Sequence, residues 1–97
     1  MVEIDVPEDV LQPILEALAV EAGVGQDQIA IVRAEQVTWR DASLGCPEPG
    51  MMYIQVLTEG YWVVLRVNDQ TFDFRVDSQG QFRLCPEGMG QDPLEPE

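Results

Sequence analysis

WVVLRVNDQTFDFRVD, residues 62–77, decides the fold. Two runs rich in β-branched and aromatic residues, Trp62–Val67 and Thr71–Val76, flank the three polar residues Asn68–Gln70. A link that short joins only antiparallel neighbours, because a parallel crossover needs a dozen residues or more. In the second run Phe72, Phe74 and Val76 fall on one side, and Thr71, Asp73, Arg75 and Asp77 on the other. That period of two marks a strand with one apolar face and one polar, solvent-facing side.

Working outward, Gln81–Leu84 carries the apolar face on through Phe82 and Leu84 after the turn at residues 77–80. On the other side Tyr53–Thr58 reads as a strand joined to Trp62–Val67 by a turn at Glu59 and Gly60. Ile29–Trp39 reads as a further strand, bulged because its alternation is imperfect. Further back the period changes. Val10, Leu11, Ile14, Leu15, Leu18, Ala19 and Ala22 recur at three- and four-residue spacing and predict an amphipathic helix. Asp5 or a neighbour can cap it, Pro7 suits a first turn, and Gly23 can stop it. Pro13 predicts a kink, or a main helix beginning near it. The expectation is an α+β fold: one N-terminal helix packed on a mostly antiparallel sheet of four to five strands, in the order helix, strand, loop, β-meander. Residues 1–85 make a single domain, and 86–97 an acidic, flexible tail anchored only by Met89 and Leu94.

Charge narrows the functional classes. Among 97 residues, 18 acids face five bases, all of them Arg, for a net charge of −13. Residues 1–32 and 86–97 carry acids and no base, so the negative field comes from the flanks. Such a field repels phosphate backbones, which excludes nucleic acid as a partner and disfavours anionic membranes. Solubility accounts for the acidity more simply than a specific basic partner does. No apolar stretch approaches the roughly 20 residues needed to span a bilayer, so membrane insertion is not expected. The chain as given shows no export signal, which points to the cytoplasm.

Catalytic chemistry finds no constellation. There is no His and no Lys to serve Ser43 or Cys46 as a base, and Asp73 and Asp77 are explained as solvent-facing charges. Two cysteines without histidine or a C-x-x-C spacing leave half of a zinc ligand set unfilled, and no phosphate-binding glycine motif is present. We expect no enzyme, no cofactor and no metal.

The segment from Trp39 to Gly50 is the one that departs from the generic. It reads W-x-D-x-S-L-G-C-P-x-P-G, built from Trp39, Asp41, Ser43, Leu44, Gly45, Cys46, Pro47, Pro49 and Gly50. Prolines fix its backbone, glycines permit unusual angles, and Asp41 and Ser43 can bond local amides. With Tyr53, Gly60, Tyr61 and Cys85 it resembles a functionally uncharacterised family of small bacterial domains. The resemblance covers roughly residues 10–85 and implies signature positions but no activity; relatives in that family often carry export signals. Cys46 and Cys85 are a disulfide candidate, which would pin the loop to the end of the sheet, with free thiols or a redox switch as the alternatives.

The functional expectation is a non-catalytic interaction module whose partner is another protein. It presents the 41–52 loop through Trp39, Asp41, Ser43, Leu44, Gly45, Pro47, Glu48, Pro49, Gly50 and Met51. A redox-responsive protein switching through Cys46 and Cys85 is the alternative, and a protease-inhibitor-like loop a further one. The aromatic residues Trp39, Tyr53, Tyr61 and Trp62 are expected to pack the loop on the sheet. The sequence does not fix the oligomeric state.

Overall fold

The computed structural model describes residues 3–94. Helix α1 (Glu8–Ala22) leads through a single 3-10 turn at Gln26–Gln28 into strands β1 (Ile29–Trp39), β2 (Thr58–Val67), β3 (Gln70–Val76) and β4 (Phe82–Cys85). The four strands pair antiparallel in the order β1-β2-β3-β4, and an isolated parallel bridge joins Ile4 to Ala34. This is the expected α+β architecture, with β1 at one edge of a four-stranded meander.

The helix runs unbroken through Pro13. The ring costs one backbone hydrogen bond in the second turn, but it lies on the exposed side, opposite the buried stripe of Leu11, Ile14 and Leu18. The helix starts without a side-chain cap. Pro7 is the N-cap, and its carbonyl accepts from the amides of Val10 and Leu11. Asp5 does not cap; its own amide is engaged with β1. At the other end Gly23 takes the left-handed conformation and returns its N–H to Ala19, as its position predicts.

Two strand expectations are corrected. Tyr53–Thr58 does not form a strand of its own: residues 51–57 have no regular secondary structure and do not join the ladder, and Thr58 is the first residue of β2. The expected turn at Glu59 and Gly60 lies inside β2, where Glu59 opposes Thr38 and Gly60 opposes Val37. Gly60 is not in the positive-φ region that a tight hairpin turn would demand. Its missing side chain serves another end, because a Cβ there would collide with the Val76 carbonyl. The β2–β3 turn shortens to Asn68 and Asp69, with Asn68 left-handed at φ 56°. The bulge in β1 falls between Ile31 and Arg33.

The sheet has two covered faces. On one, Ala34, Val63, Leu65, Val67, Phe74 and Val76 pack with Leu11, Ile14 and Leu18 of α1 as the core. Phe82 stacks edge-on against Phe74 at 5.9 Å. The opposite face was expected to be polar and open to solvent, and that expectation is wrong for its centre. Asp73, Arg75, Arg83, Cys85 and Trp62 line it, the loop after β1 lies across it, and Arg75 is 1% exposed.

Candidate functional site

The loop is built from its first polar residues outward. Asp41 Oδ1 accepts from the amide of Ser43 at 2.9 Å and from its hydroxyl at 2.5 Å, closing a tight Asx turn. The Ser43 hydroxyl holds the Asp41 carboxyl below its ordinary pKa; burial opposes this, and the Ser43 amide and Gln55 reinforce it. A folded-state pKa below the unfolded one means stability present above about pH 4 and lost as pH falls through the folded value. Asp41→Asn should therefore lower stability at neutral pH and make little difference well below about pH 4, flattening the acid limb of the stability curve, read by urea midpoints across pH.

Leu44 and Gly45 follow with φ 58° and 70°, both left-handed. For Leu44 that conformation costs about 1–2 kcal/mol. The consequence is that two successive carbonyls turn the same way, toward one guanidinium. Arg75 Nη1 donates to Leu44 O and Gly45 O at 3.2 Å each and to Gln91 O at 2.6 Å. Its Nε and Nη2 form a two-point fork on Asp73 at 3.0 Å. The Arg75 guanidinium also lies 4.8 Å from the ring centre of Trp39 and 5.0 Å from that of Trp62. Trp39 is fully buried and donates its indole N–H to the Val76 carbonyl, while Trp62 donates to Asp73. Gly45 is glycine for a second reason: a Cβ would meet Arg75 Nη1 and the Gln91 carbonyl, each at 2.6 Å.

Cys46 and Cys85 are joined in a disulfide, with Cα atoms 5.9 Å apart and a sequence separation of 39. The bridge is buried and fixes the loop to the end of β4. Beside it Arg83 donates to the Cys46 carbonyl and lies 4.0 Å from Glu48. The Tyr53 hydroxyl accepts from the Glu48 amide at 3.0 Å, and the Ala42 amide donates to Ile54 at 3.1 Å.

The segment expected to be a flexible tail is tied down at two points within residues 86–94. Gln91 donates to Gly45 O, and Leu94 donates to Thr38 O. The last three residues of that segment lie outside the described residues.

The residues singled out in the sequence divide into two halves. Trp39, Ser43, Leu44, Gly45 and Cys46 are buried under the loop, and Asp41 and Pro47 are half-buried. Glu48, Pro49, Gly50 and Met51 are exposed, and the exposure runs on through Met52 (96%), Ile54 (73%), Val56 and Leu57. Residues 49–58 carry no charge at all. Sequence reasoning missed Arg75 as the anchor. The available signal was its place two residues after Asp73, on the same strand face, in a chain whose every base is Arg.

Among the described residues, no group of three or more His, Cys, Asp or Glu side chains is arranged to hold a metal. No helix among them is long and apolar enough to cross a membrane. A family profile described as "Domain of unknown function (DUF8738)" matches residues 11–85. No curated protein and no solved structure matches the chain.

Proposed function

The chain belongs to the DUF8738 family, a domain of unknown function, and on physical grounds we propose that it is a non-catalytic interaction module displaying the outer half of the 41–52 loop and the apolar segment that follows. One observation carries this reading: an uncharged, exposed stretch, Met51 to Leu57, stands on a loop base that a disulfide and a buried guanidinium both fasten. Ordered loops held on a rigid sheet are where binding residues concentrate. Methionine side chains adapt their shape to a partner at little cost, and contiguous exposed apolar surface marks contact sites. The partner on this reading is another protein. The same reading takes the W-x-D-x-S-L-G-C-P-x-P-G loop as the hallmark of a bacterial family, and an oxidising compartment as the setting that keeps the bridge closed.

Burial of both sulfurs favours a structural bridge over a redox switch, because exchange needs a thiolate to reach a disulfide sulfur. Leu44 is buried, so its truncation would report on folding rather than contact. The discriminating variant is Met51→Ser with Met52→Ser and Ile54→Ser. Its melting curve should stay close to wild type, within about 0.5 kcal/mol per site, as for exposed positions generally. Capture of protein partners from extracts of the native cells should fall about tenfold or more. Undiminished capture by the folded variant would remove this segment as the contact surface.

A further inference from the structure

Among the described residues, the outer edge of β1 is held at two points, with no backbone bond between them. Asp5 donates its amide to the Ala34 carbonyl, and Leu94 donates its amide to the Thr38 carbonyl, both at 2.9 Å. At about 3.3 Å per strand residue these anchors stand roughly 13 Å apart. Between residues 3–5 and residues 92–94 lies an open groove of about 1080 Å³. Val37, Leu57 and Pro93 give it apolar walls, and Glu3, Asp5, Glu59 and Asp92 bring four carboxylates to it. Trp62 also lines it, and the Arg33 guanidinium lies 4.3 Å from the centre of that indole ring. Arg33 in turn pairs with Glu35 at 2.9 Å.

We propose that this groove binds a short, extended cationic peptide segment, one guanidinium or ammonium group entering among Glu3, Asp5, Glu59 and Asp92 while its apolar neighbours rest on Leu57 and Val37. Acidity alone does not single the groove out, because the whole chain is acidic. Its shape and its existing chemistry do. It is concave, it has apolar walls, and it already holds one guanidinium by stacking on an indole and pairing with a carboxylate. That resident cation answers only Glu35, and the remaining carboxylates are in no ion pair among the described residues. The open run between the anchors has room for about four residues, which suits a peptide segment and excludes a full added strand. The field of a chain at −13 steers such a segment inward.

The groove shares only Leu57 with the Met51–Leu57 surface, and the variants below leave Leu57 in place, so the two readings fail separately. The test uses the full chain and calorimetric titration with the peptides Ac-Arg-Val-Arg-Val-amide and Ac-Glu-Val-Glu-Val-amide at low and physiological salt. The basic peptide should bind, more weakly as salt rises, and the acidic one should not. Asp5→Asn with Glu59→Gln and Asp92→Asn should weaken binding about tenfold. Asp9→Asn with Glu16→Gln and Glu21→Gln removes the same charge from the helix and should cost less than about twofold. The Met51→Ser, Met52→Ser variant should bind as the native chain does. Equal losses from the two charge sets would overturn the proposal, as would equal binding of both peptides. So would a dimer in sedimentation whose groove the basic peptide cannot enter.

Discussion

Arg75→Ala should lower the stability of the protein by about 3–5 kcal/mol, the range found when one partner of a buried, hydrogen-bonded ion pair is removed. For a small domain with a total stability of roughly 5–15 kcal/mol, that is a large share of the whole. The side chain donates five hydrogen bonds, to Asp73 and to the carbonyls of Leu44, Gly45 and Gln91, and only 2% of it is exposed. Truncation leaves three carbonyls facing a cavity between Trp39 and Trp62. Asp73, itself about a third exposed, keeps only the Trp62 indole as a partner. Arg75→Lys should recover little, since a single ammonium cannot fork on Asp73 and reach the loop carbonyls together. Urea unfolding checks both variants. A midpoint change worth less than about 1 kcal/mol for Arg75→Ala would show that the guanidinium is incidental to holding the loop.

The same cluster shows where the sequence was legible and where it was not. Alternation in Phe72, Phe74 and Val76 located β3 and its core face correctly, and the spacing of Leu11, Ile14 and Leu18 located the buried side of α1. Periodicity of two says which residues share a face. It does not say what lies over that face, so Asp73 and Arg75 read as solvated charges. The covering layer comes from residues 40–46 and from the backbone of residue 91. Main-chain carbonyls do that bonding, and a reading of side chains does not register them. Tyr53–Thr58 failed for the converse reason. Its residues suit a strand, but a strand exists only with a partner edge, and β2 is already paired on both sides by β1 and β3. The sequence offers the Cys46–Cys85 bridge beside free thiols and a redox switch, and the structure joins the pair, whereas the split of the loop into a buried base and an exposed rim goes with its consecutive left-handed residues.

Opening the Cys46–Cys85 bridge is the second large effect expected. With a sequence separation of 39 between the cysteines, the chain-entropy relation gives about 4 kcal/mol of lost stability. In a domain of this size that corresponds to a melting point lower by on the order of 15 °C or more. Cys46→Ser with Cys85→Ser should reproduce the effect of reduction, and native cysteines should resist alkylation until reduced. Whether the loop is one braced surface is read by amide hydrogen exchange at Ser43, Cys46 and Glu48, followed by NMR in the oxidised protein and again after reduction. These amides donate to Asp41, to the Ser43 carbonyl and to Tyr53. A braced loop is protected in the oxidised protein nearly as well as β2 and β3, and reduction lowers its protection ahead of theirs. Loop amides exchanging at unprotected rates in the oxidised protein, while the strands stay protected, would contradict it.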